Sequence, residues 1–212
     1  IRESSVTNDD VALTILDAAQ EMQTTLIMMG ARGKNRIRSV LLGSVSANVI
    51  RRSTIPVLLM RFPPEEDPAQ ERAPLFSRVL VPVDFSVPSD LVLRTIPAIV
   101  REGQAVLVHV VDRGESDSAI RAAAKEAHQR LEAMREDLAR QGIPARTRVS
   151  IGYPPDEIIE AATEERSSLI LISPQGAGWV RELRTLVVGS TTSSVIRRAT
   201  CPVLIDVGAR QG

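Results

Sequence analysis

The sequence predicts an α/β fold, a five-stranded parallel doubly wound sheet in tandem repeat, and three observations carry that prediction. First, LLGSVSANVIRRSTIPVLLM, Leu41 to Met60, recurs as VVGSTTSSVIRRATCPVLID, Val187 to Asp206, with GS, VIRR, T and PVL in register. Upstream, DAAQEMQTTLIMMGARG, Asp17 to Gly33, matches EAATEERSSLILISPQG, Glu160 to Gly176, at an offset of 143 residues. The offset becomes 146 after the next loop, so the second copy carries three extra residues. Self-similarity of this kind marks a repeated structural unit. Second, the apolar runs are short and rich in Val, Ile and Leu, as strands buried on both faces of a parallel sheet are. Third, these runs alternate with segments of helical period, the pattern of right-handed crossovers between parallel strands.

The elements follow in order. Val11, Ile15, Ala18, Ala19 and Met22 fall at helical spacing behind Asp9 and Asp10, which read as N-caps. Thr25 to Met29 reads as a short buried strand, and Val40 to Arg52 as a helix whose Arg51 and Arg52 complement its carboxyl end. Pro56 opens the strand Val57 to Met60, where a missing N–H is tolerated. Residues 63–76, rich in Pro and Glu, read as a linker. Then come the strand Arg78 to Phe85 and a helix capped by Ser86, with Pro88 in its first turn, running to Val100. The strand Ala105 to Asp112, a long charged helix from Ser116 to Gln141 and the strand Ala145 to Ile151 lead into the second copy of the repeat. Arg197 and Arg198 repeat the helix-end role of Arg51 and Arg52.

The expected division is the carboxyl half of a first domain at 1–62, the linker at 63–76, a complete domain at 77–207 and a tail at 208–212. A half-sheet of 62 residues is expected to bury too little to be secure alone, so Ile1, which is not Met, reads as a boundary preceded by roughly seventy residues.

Composition narrows the function. Of 212 residues, 43% are hydrophobic and 25% charged, which supports a packed core. Aromatic residues make up 2%, too few for a base-stacking nucleic-acid surface. The 26 basic residues balance 26 acidic ones, so any anion site is local and no basic field for nucleic acid exists. The lone Cys201 excludes an internal disulfide and a multi-cysteine zinc site, and fits a reducing, cytoplasmic setting. No apolar run is long enough to cross a membrane, and IRESSVTNDD is not a signal peptide. The motifs G-x4-GK-[ST], G-x-S-x-G and HEXXH are absent, which leaves no catalytic residue to name.

Ligands of such sheets bind beyond the carboxyl ends of the strands. There the first copy has Gly30-Ala-Arg-Gly33, nine residues, then Gly43-Ser44 and Val45. Glycines let backbone amides approach phosphate oxygens, and the helix beginning near Ser44 adds a positive dipole end. Taken alone, the glycines fit a tight turn equally well. Arg32, Lys34, Arg36 and Arg38 follow, either as phosphate ligands or as a solvated loop face.

G-x2-G-x9-G-[ST] after an apolar strand, followed by V-x3-VI-[RK][RK]-x3-PV, resembles the universal stress protein family. Residues 77–207 resemble it throughout, including VPVDFS, HVVD and GYPPDEII. The resemblance implies a Rossmann-like sheet of the adenine nucleotide alpha hydrolase-like type, usually dimeric, with ATP as ligand in glycine-motif members and no nucleotide in others. It implies that Asp84 contacts the ribose, Pro82 and Val83 form the adenine pocket, and Val110 lies over the base. Ser173, Gly176, Gly189, Ser190 and Thr191 would line the phosphates, as would Gly30, Gly33, Gly43, Ser44 and Val45 in the first copy. For Asp84 a helix-capping role stays open, and His109 reads as a satisfied core histidine.

The second loop departs from the motif: Ser173 replaces the first glycine, Pro174 removes an amide donor, and twelve residues separate Gly176 from Gly189. Three extra residues continuing a helix would displace its first turn by about 4.5 Å. ATP, with or without Mg2+, is therefore expected more through the Gly30–Ser44 loop than the Ser173–Ser190 loop. Gly178 is a candidate to rebuild the second cradle, and Trp179 either fills the nucleotide space or packs on the sheet. The expectation is a nucleotide-binding stress-response or regulatory protein in which ATP is a ligand or signal, hydrolysed slowly at most. The alternative is a nucleotide-free dimerisation or regulatory module, such as the cytoplasmic tail of a membrane transporter. Pro56–Met60 and Pro202–Val207 are expected to pair antiparallel, within one chain or across a homodimer axis, because both are otherwise open sheet edges.

Overall fold

A computed structural model of the chain describes residues 7–31, 42–61, 73–112, 116–176 and 188–207. The elements in order are α1 (Asn8–Glu21), β1 (Ile27–Gly30), α2 (Ser44–Arg52), β2 (Val57–Met60), β3 (Arg78–Pro82), α3 (Val87–Leu93) and α4 (Ile96–Ile99). They continue as β4 (Gln104–Val111), α5 (Asp117–Arg140), β5 (Ala145–Ile151), α6 (Pro154–Glu164), β6 (Leu169–Ile172), α7 (Ser190–Arg198) and β7 (Val203–Ile205). All strands join one sheet in the order β1-β2-β7-β6-β3-β4-β5, parallel throughout except at β2–β7.

At that seam Val57 pairs with Ile205, Leu58 with Leu204 and Leu59 with Val203. In the repeat, residues 57, 58 and 59 correspond to 203, 204 and 205. Each copy therefore meets the other in reversed register about an axis between Leu58 and Leu204, and the expected antiparallel pairing is made within one chain. Two strands buried on both faces thereby lose an edge that water or another chain would otherwise meet.

Alternating side chains supply two cores. One face carries Ile27, Val57, Leu59, Ile170, Ile172, Val203 and Ile205 under helices α1, α2, α6 and α7. The other carries Leu58, Val79, Val81, Leu107, Leu169, Leu171 and Leu204 under α3, α4 and α5. Those three helices all lie within residues 77–207, ahead of the second copy of the repeat, and Met28 on β1 is 61% exposed.

Local chemistry explains where the elements differ from expectation. The N-cap of α1 is Thr7, with Asp10 at the third helical position completing a reciprocal capping box, so Asp9 and Asp10 lie inside the helix. The helix expected from Ser86 to Val100 divides into α3 and α4, because Pro97 has no N–H for the carbonyl of Leu93 and crowds it. Both copies end their first helix alike: Gln23 (φ 50°) and Arg166 (φ 48°) follow α1 and α6 in the left-handed region. The amides of Thr24 and Ser167 reach back to the carbonyls of Ala19 and Ala162. Arg52 pairs with Asp9 at 3.4 Å, and Arg198 with Asp156, so each repeat ties the end of its second helix to the start of its first.

Candidate functional site

The two glycine loops are anchored by equivalent hydrogen bonds. Ser46 Oγ donates to the Gly30 carbonyl at 3.0 Å, and Thr192 Oγ1 donates to the Ser173 carbonyl at 2.9 Å. The Gly43 amide donates to Ala31 at 3.0 Å and the Gly189 amide to Pro174 at 2.8 Å. Residues 46 and 192, and 43 and 189, are repeat equivalents. Gly43 (φ −62°, ψ 145°) and Gly189 (φ −60°, ψ 156°) then cap α2 and α7 in the same conformation. The displacement of the second helix by its three extra residues does not occur: the hydroxyl and amide clamps set its start at the residue equivalent to the start of α2.

Thr7, Ser86 and Ser116 bond their own helix amides with side-chain oxygens, whereas Gly43 and Gly189 have no side chain to do so. The first turns of α2 and α7 are left with amides that no cap satisfies, at the positive end of the helix dipole. Ser44 and Ser190 are exposed there, and Val45 and Thr191 half-buried. Gly33, Arg32, Lys34, Arg36, Arg38, Gly178 and Trp179 lie outside the described residues.

Within residues 77–207 the end of β3 meets the start of the Ser173–Ser190 loop. The strand stops at half-buried Pro82, and the buried Val83 donates its amide to the Val108 carbonyl at 2.8 Å. Asp84 is exposed; its Oδ1 accepts from the Ser86 amide at 3.1 Å and from the Ser86 hydroxyl. Ser86 itself is the cap of α3, so Asp84 supports the cap and is not the cap. A Cβ on Gly176 would collide with Asp84 Oδ2, which brings the ends of β3 and β6 together at the point where the strand order reverses. Val110 is half-buried, packed on the α6–α7 face. The second loop also closes on itself: buried Ser173 donates through Oγ to the Gln175 carbonyl at 2.7 Å.

His109 Nδ1 lies 2.7 Å from the Val83 carbonyl. A carbonyl only accepts, which assigns the proton to Nδ1 and satisfies the ring as expected. Phe85 stacks on that imidazole with centroids 4.4 Å apart, and Arg130 of α5 places its guanidinium carbon 3.9 Å from the Phe85 centroid. Phe85 has φ 59°. Sequence reasoning passed over this cluster; the one available signal was a bulky residue between Asp84 and a serine cap, where a left-handed turn favours glycine.

In the first copy β1 is the edge of the sheet, so among the described residues nothing stands beside Gly30 and Ser44 as Pro82, Val83, Asp84 and Val110 stand beside Ser173 and Ser190. The reversal at β2–β7 directs the carboxyl ends of β1 and β6 to opposite ends of the strands. Among the described residues, Gly30 and Ser44 therefore lie at the opposite strand ends from Ser173 and Ser190. Among the described residues no group of three or more His, Cys, Asp and Glu side chains is placed to hold a metal ion, and no helix is long and apolar enough to cross a membrane.

The universal stress protein family model matches residues 1–61 and 75–206. A curated relative, the universal stress protein MJ0577 of Methanocaldococcus jannaschii, is 22% identical over 156 residues, covering 62% of this chain and 94% of that protein. The universal stress protein YxiE of Bacillus subtilis is 36% identical over 81 residues, 38% of this chain and 53% of its own. Among solved structures, a universal stress protein from Archaeoglobus fulgidus superposes with a TM-score of 0.68 at 30% identity. That match covers 92% of this chain and 66% of the other, just under two thirds of its length.

Proposed function

The chain belongs to the universal stress protein family, and from that premise we propose that it binds ATP as a ligand or signal, hydrolysing it slowly at most. The observation that carries the reading is the pair of uncapped helix starts, Gly43–Ser44 and Gly189–Ser190, held in one geometry at the carboxyl ends of parallel strands. Phosphate oxygens are the natural acceptors for such amides. The Gly30–Ser44 loop supplies the full glycine spacing. The Ser173–Ser190 loop supplies less of it but stands beside Pro82, Val83, Asp84 and Val110, the residues proposed to hold adenine and ribose. Mg2+ would accompany the phosphates, and Asp84, whose Oδ2 lies against Gly176, is a carboxylate at the described end of the second loop.

One observation favours the nucleotide-free regulatory reading: Ser173, in place of the motif's first glycine, spends its hydroxyl on the Gln175 carbonyl, and the Pro174 carbonyl takes the Gly189 amide. Calorimetric titration of the full chain with ATP and Mg2+ separates the two. Heat with a rise in melting temperature at millimolar ATP supports the first; neither effect at that concentration sinks it and leaves the nucleotide-free module.

A further inference from the structure

We propose that Phe85 is a positioning residue for the nucleotide site, and that its stack with His109 and Arg130 holds the backbone turn that aims Asp84 at Gly176. The inference rests on the ATP reading for its functional meaning, while its geometry exists without ligand.

Three non-glycine residues among those described have positive φ: Gln23, Phe85 and Arg166. Gln23 and Arg166 are helix terminators, a common use of that conformation. Phe85 terminates nothing. It lies between the end of β3 and the cap of α3, where a bulky side chain in the left-handed region is an outlier and glycine the default.

Two neighbours hold the ring. His109 stacks on it with centroids 4.4 Å apart, itself pinned to the Val83 carbonyl at 2.7 Å, and the Arg130 guanidinium carbon lies 3.9 Å from the ring centroid. Strand β4 and helix α5 thus enforce together what the side chain at 85 disfavours. With residue 85 turned this way, the Ser86 amide reaches back to Asp84 Oδ1 at 3.1 Å, and Oδ2 lies against Gly176. Unfavourable backbone conformations persist where surrounding structure over-determines them, and they gather at ligand sites.

Simple core packing is the rival account, and glycine and alanine separate the two. Both substitutions remove the ring, but only glycine adopts the left-handed turn without strain. Positioning therefore predicts that Phe85→Gly is better than Phe85→Ala; packing predicts that it is no better.

The test uses the full chain, isotope-labelled and ligand-free, with the Gly176 amide resonance as reporter. Phe85→Ala is expected to move that resonance toward its position in Asp84→Ala, and Phe85→Gly to leave it near wild type. An unmoved resonance in Phe85→Ala, or equal displacement in both, overturns the proposal. Should Phe85→Ala fail to fold, Arg130→Met takes its place: it removes the guanidinium from the ring and is expected to move the resonance part way, and no movement overturns the proposal. Titrated with ATP, Phe85→Ala is expected to bind about tenfold more weakly, equivalent to 1.4 kcal/mol, and Phe85→Gly to recover most of that loss. A wild-type chain that binds no ATP defeats the functional reading, and the resonance order still decides the positioning.

Discussion

At the scale of single residues, the same backbone conformation has two different causes in this chain. Gln23 is exposed and turns left-handed only to end α1, so nothing but the helix end holds it there. Gln23→Gly is accordingly expected to raise stability by about 0.5 kcal/mol, the relief of left-handed strain less the larger entropy of glycine in the unfolded chain. Urea midpoints of the two proteins measure it, and a lower midpoint for the glycine variant contradicts the assignment. Cys201 offers a second residue-level expectation. Burial raises its thiol from the ordinary 9.0 to about 11. The native state then keeps a proton that the unfolded chain loses, so this contribution is complete below pH 9 and drains away as pH rises toward 11. Cys201→Ala should lose less stability than wild type over that window in paired urea titrations; identical slopes would show that the thiol is not shielded. Little of this detail was legible in the sequence. Asp9 and Asp10 read as caps because Asp favours that position, but the reciprocal bonds between Thr7 and Asp10 fix the cap two residues earlier than Asp9. Arg130 could not be linked to Phe85 at all, since 45 positions separate them and only the packing of α5 on β4 brings them together.

At the scale of elements, the repeat made the strands and helices legible, and its exception proved informative. Three extra residues in the second loop suggested a displaced helix, yet α7 starts at the residue equivalent to the first of α2. The reason is a buried hydroxyl: Thr192, 4% exposed, holds the Ser173 carbonyl as Ser46 holds Gly30. In the aligned sequences Ser46 and Thr192 are merely two small polar residues on a helix, and their bonds to strand ends become visible only once the helix is docked. Thr192→Val keeps the shape and removes the donor, which leaves the Ser173 carbonyl without this bond in a buried setting. It is expected to destabilise the chain by about 1–3 kcal/mol and to broaden the amide signals of Gly189 and Ser190. Thr192→Ser restores the hydroxyl and should recover most of the loss. A valine variant with wild-type stability and sharp signals would mean that the loop is held by something else. Helix α4 is the opposite case: Pro97 is visible in the sequence, and its missing N–H divides the expected continuous helix between Leu93 and Ile96.

At the scale of the molecule, one pair of strands determines how the two loops relate. The apolar last strand of each repeat unit was legible as an edge in need of a partner; that each would find the other within the same chain was not, because the sequence carries no information on which edge is nearer. The structure joins them through Leu58 and Leu204, 1% and 4% exposed, at the centre of the seam. Since the pairing is antiparallel, the Gly43–Ser44 and Gly189–Ser190 helix starts lie at opposite strand ends of one sheet, and the described residues of one do not flank the other. Separated sites with no shared partners behave additively to within about 0.5 kcal/mol. Ser190→Ala is therefore expected to weaken the ATP response of amides at the start of α7 several-fold while leaving the response at α2 unchanged, and Ser44→Ala to do the reverse. The double variant should show the sum of the two losses. Leu58→Ala, a cavity at the seam worth about 2–5 kcal/mol of stability, supplies the contrast: it should lower the melting temperature of the whole sheet without favouring either loop. If Ser190→Ala instead shifts the ATP response at α2 by more than the additive limit, the seam transmits binding between the loops, and the two sites form one coupled device instead of two independent ones.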